Sequence, residues 1–211
     1  MDVSVAEYWS ERYRRGETGW DLGGETPVLR ELLQGEHFPA VVQGATGRAA
    51  RVLVPGCGYG HDVLLLARRG YETIAVDFAP EPLAWLAERL RQEELLAQLL
   101  CEDIFQLPDR GLEPVDVVWE YTCYCAIDPR RRSDYFALMA RLIRPGGWLF
   151  GLFFPLGSEP PTSGPPFPVV RTEVLALAQR YGFRLEWSMI PQTSHPARQG
   201  REELMVWKKE G

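Results

Sequence analysis

Three glycines, Gly56, Gly58 and Gly60, occupy alternate positions between a short apolar run and a second apolar run with helical character. A strand that changes through glycines into a helix directs backbone N–H groups and the positive end of the helix at one point. Glycine suits such a turn because a side chain would block a ligand's approach and many of the required dihedral angles. The pattern predicts a ligand-binding turn; the alternative is a tight turn that binds nothing.

An acid, Asp77, ends the next predicted strand about 20 residues after Gly56, where nucleotide-binding folds place the carboxylate that binds ribose hydroxyls. The glycine spacing is G-x-G-x-G, so its third glycine comes earlier than in the dinucleotide pattern G-x-G-x-x-G. This difference disfavours a bound pyrophosphate. It favours S-adenosylmethionine, which has a ribose and no phosphate.

Two further positions follow predicted strands and should reach the same edge of the sheet. Asp103 and the backbone N–H of Ile104 come after the third strand and could bind an adenine ring; the alternative is a carboxylate that caps the turn before Pro108. Tyr121 begins the loop after the fourth strand, and open α/β sheets bind ligands at such loops.

The N-terminal segment is rich in aromatic residues. Trp9 and Tyr13 are four residues apart on one face of a predicted helix over residues 5–14, and Trp20 follows in a loop. These rings could form a lid whose faces attract the sulfonium of S-adenosylmethionine by cation–π contact. They could equally be packing residues that hold the helix on the domain.

The elements that position these residues alternate between strand and helix, which predicts a doubly wound parallel sheet. Helices are predicted over residues 5–14, over 25–43, from 80 onward, over a segment that contains 135–142 and ends at 145–147, and over 172–181. Strands are predicted over residues 52–55, 72–77, 97–101, 115–120, 148–154, 184–190 and 202–207. The last two strands can pair antiparallel. We expect one domain over residues 1–211, with N-terminal helices in 1–45 and an α/β core in 51–211; the Pro- and Gly-rich run 155–168 is either a cover or a long loop.

Composition limits the possible partners. The chain has 211 residues, 45% of them hydrophobic, and a net charge of −6, which argues against a nucleic-acid partner. No apolar run approaches the roughly 18 residues of a membrane span, and no signal peptide is recognised, so a cytoplasmic location is expected. The four cysteines match no zinc spacing and are interpreted as buried thiols, so no metal site is predicted.

Several motifs together resemble one family. The pattern Trp9-x3-Tyr13-x6-Trp20-Asp-Leu-Gly-Gly, followed by Thr26-Pro27, resembles the N-terminal signature of the thiopurine S-methyltransferase family, in particular its halide/thiol methyltransferase branch. Later blocks that are similar to this family are Val54-Pro-Gly-Cys-Gly-Tyr-Gly-His-Asp62, Val76-Asp77, Asp103-Ile104-Phe105, Cys125-Ala-Ile-Asp-Pro129, Arg144-Pro-Gly-Gly147, Gly164-Pro-Pro-Phe167 and Gly200-Arg-Glu202.

The resemblance implies a monomeric class I methyltransferase with a Rossmann-like, seven-stranded sheet, an antiparallel last strand and an N-terminal helical lid. It implies transfer of a methyl group from S-adenosylmethionine to a small soft nucleophile such as a thiol, bisulfide, a halide or a thiopurine. The cofactor-binding residues that it implies are Trp9, Tyr13, Trp20, Gly56, Gly58, Asp77, Phe78, Asp103, Ile104 and Tyr121.

No catalytic residue is assigned from the sequence, because methyl transfer from a sulfonium needs in-line positioning more than acid–base chemistry. Tyr121 and Asp21 are candidates, and His61 and Arg201 are further residues that could contact the acceptor. Two alternatives stay open: a class I methyltransferase for a different small molecule, and a non-catalytic sensor that binds S-adenosylmethionine or S-adenosylhomocysteine.

Overall fold

A computed structural model describes residues 2–35, 48–157 and 164–211. The strands in these ranges are β1 (Arg51–Pro55), β2 (Glu72–Asp77), β3 (Gln98–Cys101), β4 (Val115–Tyr121), β5 (Ile143–Phe153), β6 (Leu156–Gly157), β7 (Val169–Val170), β8 (Phe183–Met189) and β9 (Glu203–Lys209). The α-helices are α1 (Ala6–Arg14), α2 (Pro27–Gln34), α3 (His61–Arg68), α4 (Pro80–Gln92), α5 (Arg132–Leu142) and α6 (Arg171–Arg180). Two 3₁₀ segments span Ile104–Arg110 and Pro129–Arg131.

Seven strands form one sheet in the order β3–β2–β1–β4–β5–β9–β8. Strands β1 to β5 pair parallel with their neighbours, and β9 pairs antiparallel with both β5 and β8. The prediction of a doubly wound seven-stranded sheet with an antiparallel last strand is therefore confirmed. The strand order reverses between β1 and β4, and open α/β sheets bind ligands outside the carboxyl ends of strands at such a point.

The central strands are apolar on both faces because helices cover both sides of the sheet. On β1, Leu53 packs into one hydrophobic core, whereas its neighbours Val52 and Val54 pack into the other. On β4, Val118 and Trp119 are divided between the two cores in the same way. This alternation follows from the pleat of a strand. Packing on both faces of the sheet holds the ends of β1 and β4 in place, and the candidate site lies at these ends.

Two predicted helix boundaries are corrected by the structure. The helix predicted over residues 25–43 begins at Pro27, a residue favoured in the first turn, and ends at Gln34; residues 36–47 lie outside the described ranges. The helix predicted to end at 145–147 stops at Leu142. Strand β5 begins at once, and a register shift between its pairings to β4 accommodates the Pro-Gly-Gly run.

A second, two-stranded sheet was not predicted. Strand β6 pairs parallel with β7, and the N–H of Val169 also donates to the carbonyl of Pro155 at 2.8 Å. Two-residue strands are too short to show an alternating pattern in a sequence. Residues 158–163, within the run predicted as a cover or loop, lie outside the described ranges.

Candidate cofactor and acceptor site

Two adjoining cavities open at the carboxyl edge of the sheet. The larger has a volume of about 460 Å³ and the smaller about 180 Å³. Four residues line both cavities: Trp20, Leu22, Gly56 and Thr122. The cavities therefore meet where the N-terminal loop that carries Trp20 faces the ends of β1 and β4. The larger cavity is of the size that proteins use to enclose a small organic ligand.

The three N-terminal aromatic residues contact one another and also line the larger cavity. The ring of Trp20 meets those of Trp9 and Tyr13 edge to face, at centroid distances of 5.5 and 5.4 Å. Tyr13 meets Tyr59 in the same way at 5.4 Å, and burial raises its pKa, so its hydroxyl stays neutral. The sequence left open whether these rings pack or form a lid; in the structure they pack against one another and also line the larger cavity.

The glycine turn is required by the protein's own packing as well as by its dihedral angles. Gly56 and Gly58 both have φ of +55°. A Cβ on Gly56 would lie 3.0 Å from Cβ and Sγ of Cys123, and one on Gly58 would lie 3.3 Å from the hydroxyl of Tyr13. The loop after β4, which carries Cys123, and helix α1, which carries Tyr13, can therefore approach this turn closely only because both positions are glycine.

Asp77, at the end of β2, is a buried carboxylate on the wall of the larger cavity. It accepts backbone hydrogen bonds from Gly58 at 2.8 Å and from Ala79 at 2.9 Å, one on each oxygen. Burial raises its pKa to about 6, against the effect of these N–H donors. Its neighbour Phe78 lines the same cavity.

Asp103 and Ile104 line the larger cavity beside Phe105. The Asp103 carboxylate caps the following 3₁₀ segment by accepting from the backbone N–H of Phe105 at 2.9 Å. The capping role considered as an alternative is therefore present together with the position on the cavity wall. The guanidinium of Arg131, which also lines the cavity, lies 3.7 Å from the centroid of the Phe105 ring.

Gly58 and the two catalytic candidates, Tyr121 and Asp21, line the smaller cavity. Asp21 Oδ1 lies 3.1 Å from Nε2 of His61 and also accepts from the backbone N–H of Gly23 at 3.0 Å. His61 is the first residue of α3. The hydroxyl of Tyr121 donates to Oε2 of Glu202 at 3.2 Å.

Arg198 is a residue of the larger cavity that sequence reasoning did not identify. The residue is only 3% exposed, and its guanidinium lies over the rings of Tyr121 and Phe154, at 4.8 and 4.6 Å from their centroids. Nη2 donates to the carbonyl of Trp20 at 2.6 Å, and Nη1 is buried with no hydrogen-bond partner among the described residues. Arg201, which was considered from the sequence, also lines this cavity and lies over Phe154 at 5.3 Å.

Acidic and basic side chains both line the larger cavity. Asp77, Glu102 and Asp103 lie at the ends of β2 and β3, and Asp128 follows β4. Arg12 comes from α1, Arg131 from the 3₁₀ segment after β4, and Arg198 and Arg201 from the loop before β9. The cavity therefore offers carboxylates, which can accept from ligand hydroxyl or amino groups, and guanidinium groups, which can attract an anion.

Neither a membrane span nor a metal cluster is found in the described ranges. No helix there has the length and apolar character needed to cross a bilayer. Within the same ranges, no three His, Cys, Asp or Glu side chains are grouped so that they could hold a metal ion.

Comparison with known proteins identifies the relatives of this chain. The family model described as Thiopurine S-methyltransferase matches residues 4–210. The chain is 30% identical to "Probable thiol methyltransferase 2" of Arabidopsis thaliana, over 99% of this chain and 88% of that protein. It is 29% identical to "Thiocyanate methyltransferase 1" of the same plant, over 95% of this chain and 84% of that protein.

Among solved structures, the chain is similar to the 1,6-didemethyltoxoflavin-N1-methyltransferase of Burkholderia thailandensis, which was solved with S-adenosylhomocysteine. The TM-score is 0.68 at 20% identity, and the match covers 98% of this chain and 87% of the other. This likeness shows a shared fold. With the family match over nearly its whole length, the chain belongs to the thiopurine S-methyltransferase family and is a class I, S-adenosylmethionine-dependent methyltransferase.

Proposed function

We propose that this methyltransferase transfers its methyl group to a small soft nucleophile bound beside Arg198, such as a thiol, bisulfide, thiocyanate or a halide. The observation that carries the proposal is the buried guanidinium of Arg198. Its Nη1 has no hydrogen-bond partner among the described residues, although the side chain lines the larger cavity. A buried donor without a partner is costly, and an anionic acceptor would satisfy it.

The cofactor fits the remaining walls. Each oxygen of Asp77 accepts one backbone hydrogen bond and keeps a lone pair for a ribose hydroxyl. Asp103, Ile104 and Phe78 line the same cavity and can meet an adenine ring at its edge and face. We therefore assign the cofactor to contacts with Trp9, Tyr13, Trp20, Gly56, Gly58, Asp77, Phe78, Asp103, Ile104 and Tyr121.

Gly58 and Tyr121 would contact the methionine part of the cofactor, since they line the smaller cavity next to Gly56. Trp9, Tyr13 and Trp20 form the lid over the larger cavity, and their ring faces can attract a sulfonium. Closure of these rings excludes water from the cavity.

Bound S-adenosylmethionine supplies an already activated methyl group on a positively charged sulfur. The chain's own contribution is to bind the acceptor in line and to hold it there. Arg198 does this with a planar guanidinium whose orientation is fixed by two aromatic rings and by the carbonyl of Trp20.

The relatives support this choice of acceptor, since the two plant proteins are named for a thiol and for thiocyanate. A thiopurine, after which the family is named, is the larger acceptor of the same chemical class. We further propose that the chain works as a monomer in the cytoplasm. Cys57, Cys101, Cys123 and Cys125 are free thiols, as is usual in a reducing compartment.

The test is methyl transfer from radiolabelled S-adenosylmethionine to bisulfide, an alkyl thiol, thiocyanate, iodide and a thiopurine. We expect methylated product with a thiol or with a proton-free anion, and the order of kcat/KM values identifies the preferred acceptor. Calorimetry with S-adenosylhomocysteine is run in parallel. Cofactor binding without transfer to any of these acceptors would refute the proposal in favour of another small-molecule acceptor or a sensor.

A further inference from the structure

Glu202 is a buried carboxylate that the proposed function does not yet use. It directly precedes β9, its side chain is 0% exposed, and its Oε2 accepts a hydrogen bond from Tyr121 at 3.2 Å. Its Oε1 is buried without a hydrogen-bond partner among the described residues. A buried carboxylate with one oxygen left unpaired is costly for the fold, so Glu202 is a candidate for a role beyond structure.

Tyr121 connects this carboxylate to the site. Its ring lines the smaller cavity, next to Gly56 and Thr122, which line both cavities. The guanidinium of Arg198, our proposed acceptor contact, lies over the same ring at 4.8 Å from its centroid. Tyr121 therefore contacts both Glu202 and Arg198, the residue beside which we place the acceptor.

A thiol acceptor needs a group that takes its proton, because its ordinary pKa of about 8.5 leaves it mostly protonated at neutral pH. The other buried carboxylates near the cavities are already engaged. Asp77 accepts two backbone N–H groups, and Asp62 accepts from Thr26 and from the indole N–H of Trp119. Asp21, which is partly exposed, is also engaged, because it contacts Nε2 of His61 and accepts from the N–H of Gly23.

We propose that Glu202 takes the proton of a thiol acceptor through the hydroxyl of Tyr121. The S–H bond breaks as Tyr121 Oη accepts that proton and passes its own to Oε2 of Glu202. The sulfur lone pair then forms the new S–CH₃ bond, and the bond to the donor sulfonium breaks with its electron pair returning to that sulfur. This inference rests on the proposed function and assigns a proton acceptor to it.

The surroundings of both groups suit this transfer. Burial raises the pKa of Glu202, which makes it a better proton acceptor than an exposed glutamate, while the positive charge of Arg198 opposes that rise. Burial also raises the pKa of Tyr121, so its hydroxyl gives up its proton only as it accepts another. The other groups whose charge or hydrogen bonding acts on this pair are Asp62, Ser194 and His195.

The test compares a thiol, which carries a proton, with thiocyanate, which carries none, in Glu202→Gln. Without the proton acceptor, the variant must capture thiolate already present in solution. Below about pH 8.5 its kcat/KM for a thiol with the pKa of cysteine should then fall about tenfold for each pH unit. At about pH 6.5 the ratio of thiol to thiocyanate kcat/KM should be about 100-fold lower than in the unmodified protein, whose ratio stays level. Glu113→Gln, which changes an exposed carboxylate that lines neither cavity, should behave as the unmodified protein.

Tyr121→Phe should reproduce the same pH-dependent loss, and it keeps the test available if Glu202→Gln does not fold. A second measurement is independent of turnover. Infrared difference spectra of the S-adenosylhomocysteine complex, recorded on adding the thiol, should show a protonated-carboxyl band that is missing in Glu202→Gln.

A parallel fall of thiol and thiocyanate kcat/KM at every pH would overturn the proposal, as would an unchanged pH profile or an absent carboxyl band. Absence of transfer to any acceptor by the unmodified protein would instead refute the proposed function. The infrared band would still show whether Glu202 takes up the proton.

Discussion

Arg198 Nη2 donates a hydrogen bond to the backbone carbonyl of Trp20 at 2.6 Å, across 178 positions of the chain. Trp20 belongs to the lid, where its ring contacts those of Trp9 and Tyr13. Arg198 belongs to the loop before β9 and lines the proposed acceptor region. The Arg198 guanidinium therefore connects the N-terminal loop that carries Trp20 to the proposed acceptor region. Acceptor binding and the position of this loop should affect each other.

Arg198→Lys should raise the KM for thiocyanate about 10- to 100-fold. Lysine keeps the charge, but it has no planar fork that can stack between two rings, bond the Trp20 carbonyl and still face an anion. The expected loss corresponds to one hydrogen bond to a charged group, about 1.5–3 kcal/mol. Steady-state kinetics with saturating S-adenosylmethionine measure it.

The matched control is Arg201→Lys, since Arg201 lies over the same Phe154 ring but its residue is exposed. An exposed charge is screened by water, so Arg201→Lys should change the KM for thiocyanate by less than about threefold. Equal effects of the two substitutions would show that general positive charge, rather than the orientation of Arg198, binds the acceptor.

Trp20→Ala should weaken the binding of S-adenosylhomocysteine about 10- to 100-fold. The substitution removes the ring that closes the larger cavity and that supports both Trp9 and Tyr13. Isothermal titration calorimetry measures the Kd. Trp187→Ala is the control, because Trp187 is an exposed tryptophan of β8 that lines neither cavity; a similar loss there would rule out a specific role for the lid ring.

Local sequence patterns were sufficient to predict one side of the site. Gly56 and Asp77 belong to a strand–turn–helix–strand unit, so the positions of both follow from neighbours in the chain. The aromatic spacing of α1 likewise places Trp9 and Tyr13 on one helix face. In the structure all four residues line the larger cavity.

The other side of the site depends on contacts between distant parts of the chain. Tyr121 and Glu202 are 81 positions apart, and no periodicity in either segment indicates that they meet. Arg198 lies in an irregular loop together with Arg201, and arginines in loops are usually exposed. Its burial results from Tyr121, Phe154 and Trp20 surrounding it, which only the folded chain reveals.

The affinity for S-adenosylhomocysteine should fall as the pH is lowered through about 6. Burial raises the pKa of Asp77 to about 6, so below this pH the carboxyl group is protonated and becomes a weaker acceptor for ribose hydroxyls. Calorimetric Kd values between about pH 5 and 8 test this. Asp77→Asn should bind about 10-fold or more weakly at neutral pH and show no such dependence, since its amide does not titrate; a variant that keeps the same pH dependence would assign it to another group.

A buried carboxylate at the end of β4 should make the stability of the protein pH-dependent. Glu120 is 1% exposed and accepts hydrogen bonds from the N–H of Tyr124 at 2.8 Å and from the hydroxyl of Tyr135. Burial raises its pKa to about 7, against the effect of these donors. In the unfolded chain a glutamate titrates near about 4.3, so between these values the folded protein binds more protons than the unfolded chain.

The free energy of unfolding of the ligand-free protein should therefore rise as the pH falls from about 8 to about 5, with a contribution from Glu120 on the order of 3 kcal/mol. Urea unfolding at a series of pH values measures this slope. Glu120→Gln should remove that contribution because glutamine does not titrate, whatever its effect on stability at one pH, and Glu113→Gln at an exposed site should keep the full slope. Asp77, whose pKa is also raised, contributes to the slope in all three proteins, so the difference between slopes isolates Glu120. An identical slope in Glu120→Gln would mean that the Glu120 carboxyl ionises at its ordinary pH despite its burial.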